Sequence, residues 1–139
     1  MCTSLTTVPE LPATTLAIGC YSSMFDACTS LTTPPELPAT TLTNYCYNGM
    51  FNGCTALTTP PELPATTLAE GCYSYMFNDC TALTYIKAMF TTTPGTNYTN
   101  NWVSNVASSG TFIKNSSATW NVTGVNGVPS GWIVQTANE

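Results

Sequence analysis

Cys2, Cys28, Cys54 and Cys80 recur at a constant spacing of 26 residues, and each opens a block spelled in nearly the same way. Residues 28–53 read CTSLTTPPELPATTLTNYCYNGMFNG and residues 54–79 read CTALTTPPELPATTLAEGCYSYMFND, which differ at only seven of 26 positions. A period of this length marks a chain of stacked units, each too small to bury its apolar face except against its neighbours. The expected architecture is a repeat solenoid of 26-residue coils over residues 1–86.

Within one block, C-T-x-L-T-T reads as a short strand with its Leu inward. The prolines of PPELP lack backbone donors and set an extended corner. A-T-T-L is a second short extended piece. In residues 43–53, Cys46, Met50 and Phe51 have spacings that suit one or two helical or 3₁₀ turns. Seven inward positions recur: the first Cys, three Leu, the second Cys, Met and Phe. The cysteines form two ladders, Cys2/Cys28/Cys54/Cys80 and Cys20/Cys46/Cys72, which read as columns of small buried side chains. A Cys20–Cys28 disulfide is the competing reading. Zinc calls for close pairs such as C-x2-C, which the chain lacks.

After Ile86 the spelling changes. Residues 87–139 carry no Cys but hold Trp102, Trp120 and Trp132. GTFIKN, ATWNV and GWIVQT read as short strands between turns. The segment is expected to be a small β-rich cap whose tryptophans cover the last coil.

Charged residues make up 6% of the chain, against roughly 25% in an ordinary soluble domain. With a net charge of −5 and only two basic residues, no positive patch is available to neutralise phosphates, so nucleic acid and anionic membranes are poor partners. No apolar run reaches the roughly 20 residues of a spanning helix, and membrane insertion is not expected. No charged or apolar leader stands before Cys2, and the first block has no polar cap of its own. The chain is therefore expected to be a fragment or the end of a larger protein, with Leu5, Leu11 and Leu16 facing water and self-association through that coil open to it.

The absence of His removes the commonest general base and both the Ser-His and Cys-His nucleophile pairs. No catalytic residue, cofactor or metal is expected, and the chain does not read as an enzyme. Glu10, Glu36 and Glu62 form a ladder at the proline corner, an arrangement that duplication of an exposed corner produces without any calcium or acid/base role. Adjacent Thr pairs such as Thr40/Thr41 alternate sides of an extended segment, which argues against a flat ice-binding array. Asp26 and Asp79 read as equivalent turn positions, with Asn52 between them. Where the blocks disagree, two readings compete: drift on a solvated face, or a diversified recognition surface at Ile18, Asn44, Tyr45, Glu70 and Tyr75, since Tyr supplies contact area at low entropic cost.

The motif M-F-x-x-C-x-x-L, present as Met24-Phe25…Cys28…Leu31, Met50-Phe51…Cys54…Leu57 and Met76-Phe77…Cys80…Leu83, resembles the BspA-like leucine-rich repeats of bacterial surface proteins. The PELPATTL variant and the tail GVPSGW resemble sequences of gut Bacteroidetes and their phages. The resemblance covers about residues 2–86, and the Asn ladder of generic leucine-rich repeats is missing from the spelling. It implies a leucine-rich-repeat-like, right-handed coil stack with short parallel β-strands. It further implies an extracellular or cell-surface adhesion module whose partner is a protein or glycan on a host or bacterial surface. A structural or receptor-binding element of a phage tail or head fibre is the alternative. No binding residue transfers from the family, which shares no fixed ligand motif.

Overall fold

A computed structural model describes residues 3–137, so Cys2 lies outside the described residues. Among the described residues three strands are present, β1 (Tyr85–Ala88), β2 (Thr111–Lys114) and β3 (Ile133–Thr136), in one parallel sheet of order β1-β2-β3. No helix forms among the described residues. The segment ATWNV forms no strand either.

β1 falls where the prolines stop. Residues 85–88, YIKA, take the place that TPPE holds in residues 59–62, one period earlier. With backbone donors restored, β1 pairs with β2 from Tyr85↔Thr111 to Ala88↔Lys114. In the earlier blocks the same segment manages only isolated parallel bridges, Thr7↔Thr33 and Leu63↔Ala88. The pairing spacing of 26 thus continues from Tyr85 to Thr111, past the point where the spelling of the repeat ends.

The opposite side of each block is a ribbon of overlapping turns. In residues 17–28, the N–H groups of Cys20, Ser22, Met24, Asp26 and Cys28 bond three residues back within the block. The alternate N–H groups of Gly19, Tyr21, Ser23, Phe25 and Ala27 donate to the carbonyls of Asn44, Cys46, Asn48, Met50 and Asn52 in the next block, at 2.7–3.0 Å. The same alternation joins the second block to the third and the third to residues 97–104. Every fourth residue of a ribbon has positive φ: Gly19, Ser23 and Ala27, then Tyr45, Gly49 and Gly53, then Gly71, Tyr75 and Asp79. That φ is what the third position of a type II turn requires. It also explains why these segments are ribbons instead of helices, which need continuous αR geometry and every donor kept inside the segment.

Side chains stack in columns along the blocks. Tyr21, Tyr47 and Tyr73 lie 6.0 Å apart with nearly parallel rings. Phe25, Phe51 and Phe77 repeat the arrangement at 5.7 and 6.0 Å. Trp102 closes both columns, 5.9 Å from Tyr73 and 6.0 Å from Phe77. Its indole N–H donates to the Gly127 carbonyl at 2.9 Å. Trp120 stacks on Phe90 at 5.2 Å and donates to the Phe90 carbonyl, while Trp132 donates to that of Ala107. All three tryptophans are buried.

A polar ladder runs beside the columns. The period aligns Asp26 with Asn52 and Asn78, which corrects the pairing of Asp26 with Asp79. Asn52 Nδ2 donates to Asp26 Oδ1 and Asn78 Nδ2 to Asn52 Oδ1, each at 2.8 Å. Asn105 Nδ2 then donates to Asp79 Oδ1 at 2.7 Å. An amide ladder is therefore present, at positions its spelling disguises because an Asp opens it.

Candidate recognition face

Tyr45 and Tyr75 hold positive-φ positions of successive ribbons, at 59° and 57°. Each projects from its own block across the following one. The Tyr45 ring lies over Gly71, where a Cβ would meet ring carbons at 2.3 Å, so glycine there makes room for the ring. The Tyr45 hydroxyl donates to Glu70 Oε1 at 2.9 Å. That hydrogen bond and the carboxylate charge push the phenol above its usual range. Asn100 Nδ2 donates to the Tyr75 hydroxyl at 3.2 Å.

Tyr45, Asn48, Glu70, Ser74, Tyr75 and Asn100 line a shallow depression of about 250 Å³. Three of the five residues singled out from the sequence therefore meet in one place. Ile18 and Asn44 do not line it; both are exposed, Ile18 at 74%. Asn100 went unnoticed because it lies 25 residues from Tyr75, not 26, in a stretch whose spelling no longer matches the repeat. The groups gathered there are phenol edges, amides, a serine hydroxyl and one carboxylate.

A second concave region lies along the proline corners. A groove of about 620 Å³ runs past Pro35, Pro61, Glu36, Glu62, Lys87 and Met89, and a neighbouring one of about 520 Å³ past Val8, Glu10 and Glu36. Glu10, Glu36 and Glu62 are all exposed, and Lys87 Nζ pairs with Glu62 Oε1 at 2.8 Å. Among the described residues no group of three or more Cys, Asp or Glu side chains is placed to hold a metal ion. Both members of the Thr6/Thr7, Thr32/Thr33, Thr40/Thr41 and Thr66/Thr67 pairs are exposed, although an extended segment was expected to alternate them.

The described members of the cysteine ladders are thiols. None of the six described cysteines is in a disulfide, and all but Cys20 are buried. Burial pushes the Cys54 and Cys72 thiols up to about 12, and those of Cys46 and Cys80 upward as well. Cys54 and Cys80 donate through Sγ to the carbonyls of Phe25 and Phe51, at 3.1 and 3.0 Å. These thiols are inert packing units, not nucleophiles.

No protein-family model matches the chain, and neither a curated protein nor a solved structure matches it.

Proposed function

We propose that the chain is a non-enzymatic, extracellular binding module, a leucine-rich-repeat-like right-handed solenoid that presents its turn-ribbon side to a protein or glycan on another surface. The carrying observation is the division of labour among repeat positions. Within the turn ribbons, the apolar positions at which the second and third blocks agree, Cys46/Cys72, Met50/Met76 and Phe51/Phe77, are wholly buried. Tyr45, Glu70 and Tyr75, at ribbon positions where the two blocks disagree, stand in solvent around one depression. Tyrosines held by a rigid backbone and fixed by Glu70 and Asn100 supply contact area that is already ordered, which lowers the entropic cost of binding. Cys28, Cys46, Cys54, Cys72 and Cys80 are buried, which shields these thiols from disulfide exchange in an oxidising setting.

The test is binding of the full chain to an array of extracellular-matrix proteins and bacterial surface glycans. A Tyr45→Ala/Tyr75→Ala double variant is expected to lose at least tenfold in affinity, whereas Glu36→Gln in the proline groove is expected to bind normally. Binding by the double variant at full strength, or none by either protein, rejects the reading.

A further inference from the structure

The two ends of the block stack differ in backbone chemistry. Toward the C-terminus both ring columns end on Trp102. There a side chain takes over from the next ribbon, Asn126 Oδ1 accepting from the Asn101 N–H at 2.7 Å. Toward the N-terminus no described residue does the same for the first ribbon. Its own donors are all engaged, since the N–H groups of residues 19–28 alternate between the second block and the carbonyl three residues back. The carbonyls of Ile18, Cys20, Ser22, Met24 and Asp26 accept from no described N–H. One and two periods later the same five places accept from the preceding block in every case: Asn44, Cys46, Asn48, Met50 and Asn52, then Glu70, Cys72, Ser74, Met76 and Asn78.

The side chains agree with the backbone. Met24 is 46% exposed while Met50 and Met76 are at 0%. Cys20 is exposed while Cys46 and Cys72 are buried. Tyr21, the first ring of its column, is half-buried while Tyr47 is buried.

We infer that this N-terminal edge is a docking surface for one further block of the same 26-residue repeat, entering with its donor edge first. A second copy of the chain, edge to edge, does not fit: both partners would bring five carbonyl acceptors and no donors, and burying unpaired carbonyls against each other is unfavourable. An incoming block of this repeat brings a donor at every second residue, in register, with a Tyr and a Phe to extend the two ring columns. The inference concerns the edge alone and does not depend on the Tyr45 and Tyr75 face.

The test joins a copy of residues 28–53 directly in front of Cys2 and follows alkylation of Cys20 by iodoacetamide, located by peptide mass mapping. In the unextended chain Cys20 is expected to react within minutes at pH 8. In the extended chain it is expected to react at least tenfold more slowly, with a raised unfolding temperature. Extension with a scrambled block of the same composition is expected to leave Cys20 as reactive as before. Unchanged Cys20 reactivity in the extended chain overturns the inference, and so does equal protection by the scrambled block. Protection of Cys20 in the unextended chain on raising its concentration also overturns it, because the occupant would then be a second copy.

Discussion

Ala27 and Gly53 hold the same place in successive ribbons, with φ of 57° and 73°. An L-residue in the left-handed region costs about 1–2 kcal/mol, partly offset because glycine loses more freedom on folding. Ala27→Gly is therefore expected to stabilise the protein by about 0.5–1 kcal/mol, read as a higher urea midpoint with an unchanged m-value. Gly53→Ala is expected to lower it by a similar amount. A Cβ at Gly53 would find its nearest neighbour at an ordinary 3.5 Å, so backbone geometry alone decides that outcome. Gly127 is the contrasting case. A Cβ there would lie 2.1 Å from the Val122 carbonyl oxygen, which is backbone and has nowhere to go. Gly127→Ala is expected to cost about 1–3 kcal/mol or more through overpacking. A melting temperature equal to that of the native chain would show that the 122–128 turn yields. At the thiols the argument concerns pH. The folded-state values of Cys54 and Cys72 are raised to about 12 from an ordinary value near 9. Their contribution is thus complete below pH 9 and is lost as pH rises through about 12. Each adds a slope of about 1.4 kcal/mol per pH unit in that window. Urea midpoints are expected to fall above pH 9, and a flat profile to pH 11 would contradict the burial of these ladders.

At the scale of the element, the turn ribbon replaces the helical turns that the Cys46, Met50 and Phe51 spacing suggested. Periodicity reports which side chains share a face, not which hydrogen bonds hold the backbone. Here half the donors of each ribbon go to the next block, and sequence spacing within one block carries no trace of that. The prolines were more legible. Their missing donors disfavour a fully paired strand, and strand β1 begins where they are gone. Trp102 is the element that couples the two halves of the chain, through both ring columns, Phe112 and the Gly127 carbonyl. Trp102→Ala is expected to cost about 3–5 kcal/mol. The loss should appear in near-ultraviolet circular dichroism of the Tyr47 and Tyr73 environment as well as in stability. An effect confined to residues after 105 would mean the columns stand without it.

Across the whole molecule, parallel pairing at a spacing of 25 or 26 extends from Thr7↔Thr33 to Ala88↔Lys114, beyond the last recognisable copy. If blocks interact only with neighbours, stability grows by nearly constant increments with block number. Inserting a second copy of residues 54–79 after Asp79 is accordingly expected to raise both the urea midpoint and the m-value in a single cooperative transition. Two separate transitions, or a lower midpoint, would show that the junction with residues 80–105 is specific to the block now preceding it. The candidate face was half legible by the same logic. Comparing copies located Tyr45, Glu70 and Tyr75, because substitution is tolerated where side chains leave the stack. The comparison also selected Ile18 and Asn44, which are exposed but stand apart, and it missed Asn100.

The sequence by itself determined the repeat length, the Cys and Phe columns though not the Tyr21/Tyr47/Tyr73 column, and the exclusion of histidine-based chemistry, since each follows from residue type and spacing alone. Only the tertiary structure decided where backbone donors go, that Asp26 begins an amide ladder, and that five carbonyls of the first ribbon accept from no described N–H. The physical reason is that these depend on hydrogen bonds between residues about 26 positions apart. Those of the ribbons are made by backbone atoms that nearly every residue carries, so the spelling of the chain does not record them, and those of the Asp26 ladder depend on which side chains the stack brings together.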